Sequence, residues 1–173
     1  LTEPPANCQA NAGFTLIELV VVIVILGVLS AFALPRFADL SGNARQAKME
    51  AAYGAIKSAT SIVGMACKTG STCNPGAPPT GGGTGNSIEL EGENIILAFG
   101  YPRRTAAGIA RASGIQDVSD GGDYLLTQST VSGIQRFRVR PNGDTAANNC
   151  EVLYREAGSA GQLPEIDLIT TDC

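Results

Sequence analysis

Residues 14–34 read FTLIELVVVIVILGVLSAFAL, and the fold turns on this stretch. From Phe14 to Leu34 the apolar run is interrupted only by Thr15, Glu18 and Ser30, with Gly27 as a weak helix former. The 21 positions from 14 to 34, at about 1.5 Å of helical rise each, match a bilayer core of about 30 Å. A monomer exposing that surface to water would aggregate. The run therefore belongs in lipid, against a partner, or in each by turns. A signal peptide is the alternative, but its apolar core is shorter, follows basic residues and ends at a small-residue cleavage site. Here no Lys or Arg precedes Phe14, and the run passes directly into a second helical pattern.

That second pattern places Phe37, Leu40, Ala44, Ala47, Ala51, Ala55, Ala59, Ile62 and Ala66 three or four residues apart. Such spacing marks one face of an amphipathic helix. Arg45, Lys48, Glu50 and Lys57 occupy the flanks and far side. The prediction is one helix from about Phe14 to Met65, ~80 Å long at the standard rise. Pro35 bends or loosens it, and Gly27 is a second weak point. Upstream, residues 1–13 are polar, with Pro4 and Pro5 adjacent, and read as a leader or disordered segment. The expected divisions are 1–13, an apolar helix 14–35, an amphipathic half 36–66, a loop 67–86 and a strand-rich domain 87–173.

The loop is marked by Pro75, Pro78, Pro79 and the glycines from Gly81 to Gly85. Those glycines lack the Lys-Ser/Thr ending of a phosphate loop and read as a flexible linker. Strands are expected at Ser87–Leu90, 94–101, 124–127, 134–140, 150–155 and 166–170, with a short helix over 104–112. Glu91, Gly92 and Glu93 link the first pair, and Asp117 to Asp123 forms a Gly- and Asp-rich turn. A long helix followed by strands implies an α+β fold, with a small antiparallel sheet covering the Ala seam.

Net charge is −4 and the isoelectric point about 4.8, with no basic stripe to neutralise phosphates, so no nucleic-acid partner is expected. The chain has no His, which removes most hydrolase triads and common zinc sites. No nucleophile–base constellation is visible; we expect no enzyme, cofactor or metal. Cys67, Cys73, Cys150 and Cys173 allow three connectivities. Their positions suit Cys67–Cys73 closing the exit of the helix and Cys150–Cys173 tying the last residue to a strand. Disulfides imply an oxidising, extracytoplasmic setting. No role is assigned to Cys8. Asp117, Asp120 and Asp123 offer oxygens to calcium, but a solvated turn is the preferred reading. Arg103, Arg104, Arg136, Arg138 and Arg140 read as solvent-facing residues.

The segment GFTLIELVVVIVILG at 13–27 resembles the type IV pilin and type II secretion pseudopilin class. The segment AFGYPRRTAAGI at 98–109 resembles, less specifically, mannose-sensitive haemagglutinin pilins, major subunits of a type IVa pilus. The resemblance implies that a prepilin peptidase cuts between Gly13 and Phe14 and that Phe14 is N-methylated. It makes Glu18 the fifth residue of the mature chain, where the family keeps a glutamate, and puts Pro35 where the family has its helix-distorting proline. Family leaders are short and basic, whereas residues 1–13 carry Glu3 and no Lys or Arg. The resemblance further implies an inner-membrane precursor in a Gram-negative cell, a pilus assembly machinery, and an extracellular homopolymer used for surface attachment. The alternatives are a secretion pseudopilin, or a membrane-anchored accessory or DNA-uptake protein that does not polymerise.

Glu18 is the most informative residue. A carboxylate within an apolar membrane segment is expensive and functional by default. In the assembly the resemblance implies, Glu18 of one subunit neutralises the new α-ammonium of Phe14 on a neighbour. Desolvation offsets much of the attraction, so the gain is register as well as energy. The segment from Gly27 to Pro35 is expected to lose regular helical bonding after assembly.

Overall fold

The computed structural model describes residues 14–70, 73–79, 86–143 and 149–173, except for the side chains of 34, 35, 37–39 and 131. The expected leader 1–13, with Cys8 and Gly13, and the Gly81–Gly85 run lie outside the described residues. The chain divides into two compact units, Leu1–Ser41 and Gly42–Cys173. Helix α1 is Leu16–Thr69 and contributes to both.

In the first unit every described side chain from Phe14 to Phe32 is exposed. Gly27 and Pro35 both lie within α1. Pro35 has no N–H to give the carbonyl of Ala31, so the helical ladder lacks a rung there. One turn earlier, Ser30 Oγ donates to the Leu26 carbonyl at 2.7 Å.

The second unit sets the rest of α1 against strands β1 Ser87–Leu90, β2 Glu93–Ala98, β3 Tyr101–Pro102, β4 Tyr124–Val131, β5 Ile134–Pro141, β6 Glu151–Arg155 and β7 Glu165–Ile169. The single sheet expected from the sequence is in fact two, an antiparallel β1-β2-β3 meander and an antiparallel β4-β5-β6-β7 meander. The strand expected over 94–101 is split by a turn at Phe99 and Gly100, whose φ angles are 50° and 82°. Left-handed backbone is costly for a bulky residue, which is why Phe99 did not read as a turn. The Phe99 N–H donates to the Ala77 carbonyl at 2.9 Å, which helps hold it. Gly100 is needed for close approach, because a Cβ there would sit 3.3 Å from Cys67 Sγ. Glu91–Gly92 and Ser132–Gly133 repeat the doubly positive pattern, matching the right-handed twist of tight hairpins.

The expected helix over 104–112 is a π-helical turn, Ala106–Ala110, continued by the α-helical turn α2, Arg111–Ser113. Thr105 Oγ1 caps it by accepting from the Gly108 N–H at 3.1 Å.

Among the described side chains, the covered face of α1 shares only buried Ala59 with the expected Ala seam. Met49, Ala52, Ile56, Ala59, Thr60, Val63 and Cys67 are buried. Ala44, Ala47 and Ala51 are exposed and Ala55 and Ala66 half-buried, while Ile62 remains 59% exposed. The sheets have taken the stripe roughly a third of a turn round the helix, because its side chains are larger. Met49 and Ile56 pack with Ile109, Phe137, Val139, Val152 and Tyr154, and Val63 and Cys67 with Ile88, Ile95 and Leu97. Each large buried side chain contributes about 1.5–3 kcal/mol, which a methyl cannot match. Tyr154 Oη joins the two sheets by donating to the Pro102 carbonyl at 2.5 Å, fully buried.

Candidate functional site

The start of α1 is organised by two side chains. Thr15 Oγ1 accepts from the Glu18 N–H at 3.3 Å, and Glu18 Oε2 accepts from the Thr15 N–H at 3.0 Å and its hydroxyl at 2.9 Å. This reciprocal arrangement is a capping box, in which the Ser/Thr and the Glu three residues later each satisfy an orphan helix N–H. The sequence does carry a signal for Thr15, since T-x-x-E is the signature of such a box. The glutamate is thereby aimed at the helix terminus with Oε1 unpartnered among the described residues. Phe14 lies directly ahead of the box and is 91% exposed. Beyond it, the window Leu16–Ala33 has a mean hydropathy of 2.9 with none of it buried inside the protein, and is long and apolar enough to cross a membrane.

The other candidates serve the fold. The Asp117 carboxylate accepts from the Ser119 N–H at 2.9 Å, the Ser119 hydroxyl at 2.7 Å and the Leu126 N–H at 2.7 Å. These bonds, the Ser119 N–H foremost, hold its carboxyl below the usual range. Asp123 pairs instead with Lys48 at 3.7 Å, so these two aspartates face different partners. Among the described residues no cluster of three or more potential metal ligands occurs. The arginines of β5 are not the solvent-facing residues expected. Arg136 pairs with Asp167 and, at 3.6 Å, Glu165. Arg138 Nε donates to Glu151 Oε2 at 2.7 Å, and that glutamate is buried. Arg104 is held by Glu156, whose Oε2 also accepts from the Arg104 N–H at 2.9 Å. Cross-strand carboxylates, invisible in a linear reading, account for the difference.

Residues 8–34 match the family model for the prokaryotic N-terminal methylation motif. The chain is 37% identical over 155 residues to a fimbrial protein of Pseudomonas aeruginosa, covering 88% of this chain and 74% of the relative. It is 33% identical over 129 residues to fimbrial protein Q of Moraxella bovis, covering 70% and 80%. It is also 46% identical over 83 residues to a type IV narrow pilus major component of Thermus thermophilus, covering 47% and 72%. The chain belongs to the type IV pilins. No solved structure matches it.

This pilin is a structural filament subunit, held as a precursor in the membrane and ending in an extracellular pilus. The pilin's four described cysteines form Cys67–Cys73 and Cys150–Cys173. The first lies at the exit of α1. The second binds the C-terminal residue to the start of β6, and Arg45 of α1 donates to the Cys173 carbonyl. Both clamps suit a protein that works outside the cell, where no reducing pool maintains thiols.

Proposed function

We propose that this pilin is cut between Gly13 and Phe14, methylated on Phe14, and polymerised with Glu18 of one copy against the Phe14 ammonium of the next, forming a pilus for surface attachment. The observation that carries the reading is the capping box. Thr15 engages one oxygen of the only charged side chain between 14 and 34 and leaves the other open to a cation. Transfer from lipid to a filament core gains little from apolarity, since lipid is already apolar. A directional pair therefore decides register, a prepilin peptidase exposes the Phe14 ammonium, and an ATP-driven assembly machinery supplies the work. On assembly the segment from Gly27 to Pro35 loosens, because the rung missing at Pro35 and the helix-weakening Gly27 reduce what its helicity contributes. The Thermus thermophilus relative is named a major component of its pilus and the other two are named fimbrial proteins, which supports a major subunit rather than a secretion pseudopilin. The test is the intact mass, reduced and unreduced, of subunits in sheared cell-surface filaments. A mass beginning at methylated Phe14 with four cysteines oxidised is expected. A mass retaining Leu1 to Gly13 sinks the processing and pairing together.

A further inference from the structure

The second unit carries an open groove of about 1030 Å³ between α1, the β1–β2 hairpin, the turn around α2, and β4. Its lining includes the apolar side chains of Ile62, Leu90, Ile95 and Leu126. Its edge bears the exposed acids Glu91, Glu93 and Asp120. Of these, Glu93 is paired with Arg111 at 3.3 Å. Glu91 and Asp120 have no ion-pair partner among the described residues. Ile62 belongs at once to the groove and to the apolar face of α1 that the sheets leave uncovered, with Ala44, Ala47, Ala51 and the 64% exposed Met65. The groove is thus an extension of that face.

The complementary charges lie on another side of the same helix from Ile62. Lys57 and Lys68 are exposed, and their recorded contacts are with the rings of Tyr53 and Tyr101, at 5.6 and 5.9 Å. Neither faces a carboxylate among the described residues. At 3.6 residues per turn they project about 140° and about 120° away from Ile62. A subunit with an acidic-rimmed apolar trough on one side and unpaired lysines on another is built for head-to-tail contact. Such a heterologous interface generates a helical filament where its rotation does not close into a ring. The trough is also too open to enclose a small molecule as ligand pockets do.

We propose that this groove docks a second copy of the pilin, its acids meeting the Lys57 and Lys68 face of the neighbour's α1. The proposal rests on the homopolymer reading and adds to it a contact on the sheet-bearing unit. In cells making the full-length protein, the Glu91→Lys, Asp120→Lys double variant is expected to lower sheared-filament yield about tenfold or more, the equivalent of about 1.4 kcal/mol for the two substitutions together. Its membrane precursor stays at the wild-type level. Adding Lys57→Glu and Lys68→Glu restores the yield. Independently, Glu91→Cys paired with Lys57→Cys, or with Lys68→Cys, joins copy to copy in filaments treated with a short bis-thiol reagent. An unchanged yield on charge reversal, or cross-links from position 91 that reach another protein or no partner at all, overturns the docking site while leaving the pilus reading intact. Absence of filaments from wild-type cells overturns both.

Discussion

Glu18 has two roles available, as helix cap and as counter-ion, and substitution separates them. Glutamine keeps an acceptor for the Thr15 N–H, since Gln serves a capping box as Glu does, but carries no charge. Removing one member of a desolvated pair costs about 3–5 kcal/mol. Glu18→Gln is therefore expected to accumulate precursor normally yet lose filaments as severely as Glu18→Ala. Thr15→Ala forfeits the cap, worth about 1 kcal/mol, and keeps assembling. Comparing filament yield with membrane precursor across the three variants checks this; a Gln variant that assembles fully dismisses the ionic role. Asp117 makes the second prediction at this scale. Its carboxyl is depressed by the Ser119 N–H, then by the Leu126 N–H and the Ser119 hydroxyl. A depressed folded value means the stabilisation is present above the ordinary aspartate range, about 3.9. It is lost as pH falls through the folded value. Thermal melting of the detergent-solubilised chain from neutral to acid pH is expected to fall more gently below about pH 4 in Asp117→Asn than in wild type. Parallel curves for the two proteins dispose of the idea.

Helix α1 contrasts two glycines with opposite expected effects. A Cβ at Gly64 would lie 2.5 Å from Tyr101 Cε1, whereas at Gly54 nothing stands within 4 Å. Alanine favours the helix by up to about 1 kcal/mol at either site, but at Gly64 the ring must be pushed out, and overpacking costs about 1–3 kcal/mol. Gly54→Ala is thus expected to raise the denaturation midpoint and Gly64→Ala to lower it, as urea titration of the full chain reports. A rise in both means that the Tyr101 ring yields freely. The same helix shows what was legible in the sequence. Its existence, its membrane-length half and its approximate end follow from periodicity. The buried stripe did not, because apolar residues cover a wide arc after Pro35 and spacing alone admits either side. Met49, Ile56 and Val63 won over the alanines by bulk. Strand segments were legible to within a few residues, but the splitting of 94–101 into β2 and β3 hung on Phe99, whose left-handed backbone angle no propensity foretells. Of the two residues of the capping box, Glu18 stood out by its cost within an apolar segment, whereas Thr15 was concealed by its modest polarity.

Across the second unit, a buried hydroxyl is among the polar links between the two sheets. Burial raises the Tyr154 phenol well above its ordinary value, so it stays a donor to the Pro102 carbonyl at every working pH. Tyr154→Phe leaves that carbonyl unsatisfied and is expected to cost about 1–3 kcal/mol, seen as a lower denaturation midpoint with an unchanged slope. A loss below about 0.5 kcal/mol would show that this hydroxyl contributes nothing net to joining the sheets. The C-terminal clamp has a mechanical consequence. Cys150 and Cys173 are 23 residues apart in sequence, and that much extended chain spans about 80 Å. A fibre hauled against a load would otherwise have this slack to pay out from each head whose β6 and β7 peel apart. With the covalent loop closed, tension arriving at β6 bypasses the last strand altogether, and only a reductant lengthens the tether.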